Sequence, residues 1–171
     1  MTRYFAGAVI LLVVLAAGCA GVEESMPTPE TSGGLTVDNV TAVLTLPSDT
    51  GAVYMRITNG GDVDDALIDA ALDGCGTIEL HEMINENDTM TMRQVEGNRI
   101  PVPAGETVML QRGGLHVMCI GKTGEFTIGQ SVPVTLTFEN AGTVEVMADV
   151  LDPAGMGMEM EGGGMGSDEA P

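Results

Sequence analysis

Histidine and methionine side chains recur at one spacing in the middle of the sequence, and they are its strongest candidates for chemistry. The chain has 2 histidines, and each is followed two residues later by a methionine. With two methionines that lie between them, they form one set: His81, Met83, Met90, Met92, His116 and Met118. Imidazole and thioether ligands suit copper, and Cu(I) in particular, because soft sulfur donors select the soft ion. The pattern indicates a copper site, although any single methionine on a strand could instead fill the core.

The elements that must position these side chains are β-strands. Residues two apart in a strand point to the same face, so His81 and Met83 share a face, as do the members of the other two pairs. A hairpin of residues 76–84 and 89–95 would bring the first two pairs side by side, and the diglycine bend at 113–114 would bring in the third. We therefore expect a pocket that holds two nitrogen and several sulfur donors.

Strand signals continue along the whole central part of the chain. Runs rich in Val, Thr and Leu alternate with turns rich in Gly, Asn, Asp and Pro, and no run has the period of a long amphipathic helix. Residues 100–105 are extended and broken by proline, as at an edge or a connection. The class is therefore all-β, a β-sandwich of about nine short strands over residues 35–151. That length suffices for one two-sheet core without a metal.

The N-terminus has the character of an export signal. Arg3 is followed by an apolar run over residues 5–17, which is typical of a signal peptide and too short for an ordinary membrane-spanning helix. The small residues before Cys19 resemble a bacterial lipoprotein signal, in which that cysteine becomes lipidated. We expect a signal peptide over 1–18 and an exported, membrane-anchored lipoprotein that faces the periplasm or the cell exterior. A plain secreted protein or an uncleaved anchor is the alternative.

Two polar segments flank the predicted sandwich. Residues 19–34 contain Pro, Gly and Ser without an apolar period, and they are interpreted as the lipidated cysteine and a flexible tether. Residues 152–171 are acidic and rich in Gly and Met, which predicts a disordered tail. Its methionines are either part of a solvated end or auxiliary Cu(I) ligands: Met156, Met158, Met160 and Met165.

The charge of the chain excludes one class of partner. Lys and Arg number 6 against 25 Asp and Glu, for a net charge of −19. Nucleic-acid binding requires a cationic surface that neutralises phosphates, so no nucleic-acid partner is expected. The simplest interpretation of the acidity is a self-repelling, soluble surface.

Export also changes how the cysteines are interpreted. With Cys19 assigned to lipid attachment, Cys75 and Cys119 remain as an even pair in an exported domain, which is typical of a disulfide. Buried free thiols and a redox-switchable metal ligand are the alternatives. Cys119 directly follows Met118, so in a regular strand it points to the opposite face.

Several segments of the sequence resemble the periplasmic copper chaperones for the CuA centre of cytochrome c oxidase, the PCuAC type. The resemblance covers nearly all of residues 35–151. It rests on these segments: Ala52–Asp62, Glu79–Met83, Met90–Arg93, Val102–Val108, Gly113–Met118 and Val132–Glu139. The family pattern is a histidine, ten residues, a methionine, roughly twenty residues, and then His-x-Met. Here residues 82–91 supply the first gap, and residues 93–115 make the second slightly longer than the pattern.

The resemblance implies a cupredoxin-like or immunoglobulin-like β-sandwich and a copper chaperone that is not an enzyme. It implies Cu(I), with Cu(II) as the alternative oxidation state, held by these four residues: His81, Met92, His116 and Met118. Met83 and Met90 do not occupy family ligand positions and are interpreted as wall or reserve ligands. The implied partners are the CuA-bearing subunit of cytochrome c oxidase and a thioredoxin-like copper chaperone.

Other classes of protein match the residues less well. An enzyme is disfavoured because the chain has no Ser/His/Asp set, no nucleotide-binding loop and 2 histidines in total. An electron-transfer cupredoxin needs a cysteine followed by a histidine in a C-terminal loop, and no histidine follows Cys119. A copper-storage or copper-detoxification lipoprotein, which would use the methionine-rich tail, is the main alternative. A β-sandwich with a purely structural role is the other alternative.

Overall fold

The computed structural model describes residues 30–154, which form eleven strands and one short 3₁₀ helix at Glu96–Asn98. The strands are β1 (Glu30–Ser32), β2 (Leu35–Val43), β3 (Gly51–Asn59), β4 (Asp65–Leu72), β5 (Cys75–Glu86), β6 (Thr89–Gln94), β7 (Ile100–Val102), β8 (Thr107–Leu110), β9 (His116–Lys122), β10 (Ser131–Phe138) and β11 (Gly142–Val150). The predicted all-β class is confirmed. The predicted signal peptide, Cys19, and the tail methionines lie outside the described residues.

Alternating burial explains why these segments are strands. Along β10, Val132, Val134 and Leu136 are buried while the residues between them are less so, and β11 shows the same period of two. The two strands form the hairpin that the Asn140-Ala141-Gly142 turn predicts. Gly142 has a φ of +77°, a conformation that residues with a Cβ rarely adopt, which explains the glycine at this position.

The strands form one continuous hydrogen-bonded path that folds over a single core. Its order is β6-β5-β9-β3-β2-β11-β10-β4-β7, with β1 pairing β2 and β8 pairing β3. The pairs are antiparallel except for β11 and β2, which run parallel. The core side chains come from both halves of the path and include Leu35, Met55, Leu67, Leu80, Ile100, Leu136 and Phe138. The β-sandwich prediction therefore holds.

The structure corrects the predicted strand count and one boundary. Eleven strands replace about nine, because β1 and β7 are edge strands of only three residues each, too short to show a period of two. Residues Glu30–Ser32 fall inside the segment predicted as tether, and they pair with the start of β2 across Gly33-Gly34. A three-residue edge strand shows no apolar period, so the sequence pattern could not reveal it. The extended, proline-broken segment predicted from residue 100 contains the edge strand β7.

Cys75 and Cys119 are joined by a disulfide that links β5 to β9, with their Cα atoms 5.5 Å apart. The side chain of Cys119 is fully buried in the core, whereas Met118 lies on the other face of β9 and lines a cavity. The disulfide therefore links the two strands that carry the histidines, and it does not occupy the face on which the histidines lie.

In residues 30–154 no helix reaches the length and apolarity that a membrane-spanning helix requires.

Candidate metal centre

Strand register brings all six predicted His and Met side chains to one face of the sheet. His81 on β5 lies directly opposite His116 on β9, and Met83 lies directly opposite Met92 on β6. Residues directly opposite each other in antiparallel strands point to the same side. Met118 and Met90 follow by the period of two, so the three pairs lie on one face of the sheet.

His116 has one ring nitrogen engaged and the other aimed at sulfur. Its side chain is buried, and its Nδ1 donates a hydrogen bond to the Gly114 carbonyl at 3.0 Å. The Nε2 atom consequently has a free lone pair, and it lies 3.2 Å from the Sδ atom of Met92. Burial lowers the pKa of His116, opposed by the Gly114 carbonyl and assisted by the nearby His81. The ring is therefore neutral at pH 7, the form that binds a metal.

His81 is oriented by a carboxylate. Its Nε2 donates to Oε2 of Glu79 at 2.7 Å, so in the neutral tautomer with this bond the lone pair lies on Nδ1. That Nδ1 atom is buried and has no hydrogen-bond partner within residues 30–154. An unsatisfied buried polar atom costs about 1–3 kcal/mol, so a metal ion or a water molecule bound at this nitrogen would stabilise the fold. A histidine whose second nitrogen bonds a carboxylate is the usual arrangement of a metal-ligating imidazole.

One imidazole and the thioether meet at a distance suited to a shared ion, and the second imidazole lies beside the first. The rings of His81 and His116 are 5.8 Å apart between centroids and nearly perpendicular. Around a tetrahedral metal, with bonds of about 2.0 Å to nitrogen and about 2.3 Å to sulfur, neighbouring donor atoms lie about 3.5 Å apart. The separation of 3.2 Å between His116 Nε2 and Met92 Sδ is close to that value.

A cavity of about 400 Å³ opens on this face of the sheet. Its lining includes His116, Met83, Met90, Met92, Met118, Tyr54, Leu46 and Arg112. His81 does not line the cavity, and its ring lies beside that of His116, which does. Met92 and Met90 stand at the rim, with 45% and 53% of their surface exposed, whereas His116 is 5% exposed.

Lys122 holds one wall of the cavity in place. Its Nζ donates to the carbonyls of Leu44 and Leu46 at 2.6 and 2.8 Å, and its backbone N–H donates to Asp49. The loop after β2, which carries Leu46 into the lining, is thereby anchored to the end of β9. Sequence reasoning missed Lys122, because it contacts a segment more than 70 positions away whose position the sequence does not reveal. It also missed Glu79, which bonds His81 two positions along the same strand. The Glu79-x-His81 spacing was the one available signal.

Carboxylates and thiols do not supply an alternative metal site in this part of the molecule. Across residues 30–154, no group of three or more His, Cys, Asp or Glu side chains converges. Both cysteines there are held in the disulfide. A metal bound on the cavity face would therefore depend on thioether sulfur as well as imidazole.

Comparison with solved structures defines the class of fold. The structure titled "Copper-bound PCuAC domain from PmoF2" matches with a TM-score of 0.62 and 22% identity, over 74% of this chain and 99% of that domain. The structure of CuI-DR1885 from Deinococcus radiodurans matches with a TM-score of 0.52 and 29% identity, over 78% of this chain and 84% of that one. The chain thus has the β-sandwich fold of PCuAC domains.

Sequence comparison then identifies the family. Residues 35–150 match the family described as "LpqE-like: Putative lipoprotein LpqE-like", and the chain belongs to this family. A relative from Leifsonia xyli subsp. xyli, "Putative lipoprotein Lxx21020", is 26% identical over 165 residues, covering 94% of this chain and 98% of the relative. The family match covers the sandwich that carries the cavity.

Proposed function

We propose that this protein is an extracytoplasmic copper carrier that binds one Cu(I) ion through His81, Met92, His116 and Met118. The observation that carries the proposal is the pair formed by His116 Nε2 and Met92 Sδ, 3.2 Å apart on a cavity wall. The buried Nδ1 of His81, which has no hydrogen-bond partner in residues 30–154, supports it, because a metal ion would satisfy that atom. Met118 completes the set from the same face.

The solved relatives support copper as the cargo. The PmoF2 domain is copper-bound and the Deinococcus protein was solved with Cu(I), and both share the fold of this chain. The donor set agrees with these relatives, because two imidazoles and two thioethers favour Cu(I) over harder ions. Cu(II), which is also compatible with imidazole, is the alternative cargo.

The charge of the ligands suits a carrier that must release its ion. All four donors are neutral, so the ion keeps its positive charge and is bound less tightly than by thiolates. A thiolate-rich acceptor could therefore take the ion by exchanging one ligand at a time. We infer that this acceptor is the CuA-bearing subunit of cytochrome c oxidase, with a thioredoxin-like copper chaperone as a second partner. The protein has a carrier role and is not an enzyme.

The family and the N-terminal sequence support the location. The chain belongs to a lipoprotein family, and Cys19 follows an apolar segment that resembles a lipoprotein signal. We infer that the protein is lipidated at Cys19 and faces the periplasm or the cell exterior. The disulfide between Cys75 and Cys119 agrees with an oxidising compartment.

Anaerobic titration against a chromophoric Cu(I) chelator tests the proposal. The chain from Ala20 to Pro171 should bind Cu(I) in competition with the chelator, with one ion per sandwich. The His81→Ala/His116→Ala variant should lose that ion while its far-ultraviolet circular dichroism stays that of a β-protein. Equal binding by the two proteins, or binding by neither, would refute the proposed site.

Copper storage is the second candidate function, and one observation favours it. Met83 and Met90 line the same cavity, so more thioethers face it than one ion needs. A storage protein would bind several Cu(I) ions per chain, and the same titration measures that stoichiometry.

A further inference from the structure

Met83 faces Met92 across the β5–β6 hairpin at the close spacing of a non-hydrogen-bonded pair. The two residues lie directly opposite each other in the register. The N–H of Met83 donates to the Gly114 carbonyl on the other side of β5, so it does not donate to Met92. In antiparallel sheets the Cα atoms of such a pair lie about 4.5 Å apart, closer than those of a hydrogen-bonded pair. The two thioethers therefore start from neighbouring positions on the cavity face.

Met90 brings a third sulfur to the same part of the cavity. It lies two residues before Met92 on β6, so both side chains point to one face from Cα atoms about 7 Å apart. Met83, Met90 and Met92 all line the cavity. Sulfur atoms bound to one ion at about 2.3 Å lie about 4 Å apart in a planar three-coordinate site. Because a methionine side chain has three rotatable bonds, sulfurs from these backbone positions can meet at that spacing.

The lining of the cavity favours soft ions. Within residues 30–154 no aspartate or glutamate lines it, so a hard divalent ion would find no carboxylate there. Thioethers are neutral and soft, and they select Cu(I). The charged side chain of the lining is Arg112, which is exposed, so solvent and salt screen its effect on a bound cation.

Exposure decreases from these sulfurs towards the buried imidazole. Met90 is 53% exposed, Met92 is 45% exposed and His116 is 5% exposed. An ion that arrives from solvent therefore contacts thioethers before it reaches His116. Met92 belongs to both groups, because its Sδ atom lies 3.2 Å from Nε2 of His116. Exposed side chains change rotamer within nanoseconds, so rotation of Met92 can move an ion between the two groups.

We propose that Met83, Met90 and Met92 form an outer Cu(I) site, through which the ion passes to and from the inner site at His116. The inference rests on the proposed function for the inner site, whereas the outer site binds a soft ion whether or not that function holds. Because Met92 is shared, the ion occupies one site or the other, and the chain holds one ion at a time. The outer site thus explains the additional thioethers of the cavity without copper storage.

Titration with silver isolates the outer site, because Ag(I) is a soft monovalent ion that is stable in air. We would use the chain from Ala20 to Pro171 with His81→Ala/His116→Ala, which removes both imidazoles of the inner site. The methionine ε-methyl groups are labelled, and their NMR signals are assigned by single Met→Leu substitutions. Because each methionine gives its own signal, ions bound elsewhere in the chain are recognised by separate binding curves.

The signals of Met83, Met90 and Met92 should shift together along one binding curve. That of Met109, which is 45% exposed and does not line the cavity, should stay fixed. Met83→Leu/Met90→Leu in the same background should abolish the common curve. Met109→Leu/Met147→Leu, a matched pair of exposed methionines outside the cavity, should leave it unchanged. Separate curves for the three signals, or shifts no larger than that of Met109, would overturn the outer site.

The passage is tested in the chain that keeps both histidines. Met83→Leu/Met90→Leu should leave the equilibrium affinity for Cu(I) unchanged, because neither residue is a ligand of the inner site. The rate of Cu(I) exchange with a chromophoric chelator, measured by stopped flow, should fall about tenfold, which corresponds to about 1.4 kcal/mol of activation free energy. An unchanged rate would overturn the passage, and a second Cu(I) ion bound in the cavity would overturn the shared role of Met92. If the native chain binds no Cu(I), the carrier proposal fails, while the silver curves still decide the outer site.

Discussion

The Nε2 atom of His116 lies 3.2 Å from the Sδ atom of Met92, although the two residues are 24 positions apart in the sequence. The contact exists because the β5–β6 hairpin continues the sheet beyond β9. The other ring nitrogen of His116 is already hydrogen-bonded to the Gly114 carbonyl, so Nε2 is the nitrogen that faces the sulfur. The predictions below test this pair and the residues that hold it.

Met92→Leu should remove a ligand without changing the apolar volume of the rim. We expect Cu(I) affinity to fall at least a hundredfold, because even indirect partners of metal ligands contribute about 10–100-fold. The measurement is competition against a Cu(I) chelator. Met109→Leu is the matched control, because Met109 is also 45% exposed and does not line the cavity. Equal loss in both variants would contradict the assignment.

Glu79→Gln should weaken Cu(I) binding by about tenfold, at the lower end of the range for groups that orient a ligand. Glutamine can still accept from Nε2 of His81, so the geometry is kept while the negative charge is lost. Glu79→Ala should cost more and should release the ring from a single tautomer, which nitrogen NMR of labelled histidine detects. Glu82→Gln, which alters the neighbouring pair with Arg93, serves as control. If Cu(I) affinity is the same for all of these proteins, Glu79 does not position His81.

Asp65 should make stability depend on acidity. Burial of this carboxyl raises its pKa, but N–H donors from Asn140, Ala66 and Ala141 outweigh that effect, and the pKa lies below its usual value. A lowered pKa in the folded state stabilises the protein above the unfolded pKa, about 3.9, and this stabilisation is lost as pH falls through the folded pKa.

Asp65→Asn should therefore reduce the free energy of unfolding by about 1–3 kcal/mol at pH 7, and the difference from the native sequence should shrink below pH 3.9. Urea denaturation at pH 7 and at a pH below about 3.9 measures this difference in the free energy of unfolding. Asp69→Asn is the control, since Asp69 is exposed and accepts one N–H, from its neighbour Ala70. A difference that does not change with pH would contradict the assignment.

The disulfide should contribute to stability and not to copper binding. It closes a loop with a sequence separation of 44, for which chain entropy predicts about 4 kcal/mol of stabilisation. The Cys75→Ala/Cys119→Ala variant should lose about that much in urea denaturation and keep its Cu(I) affinity, because Cys119 lies in the core. The native chain treated with a reductant should behave like this variant. A tenfold change in affinity would instead support the cysteines as redox-switchable ligands.

The strands and the grouping of the His-x-Met pairs could be predicted because both depend on a local period of two. His81 and Met83 share a face in any regular strand, whatever its neighbours. The register that sets His81 opposite His116 could not be predicted, because it depends on pairing between segments 35 residues apart. The role of Lys122 could not be predicted for the same reason, because its partners Leu44 and Leu46 lie more than 70 positions away. Strand β1 was missed because a short polar edge strand leaves no periodic signal.

If the protein hands over copper as proposed, the uneven exposure of the proposed ligands would give the handover a direction. Met92 is 45% exposed and His116 is 5% exposed, so an incoming thiolate meets the sulfur first and the buried imidazole last. Midway through exchange, the ion would bridge the acceptor and His116 in a two-protein complex. The rate of release would then be set by how fast this innermost nitrogen dissociates from the ion.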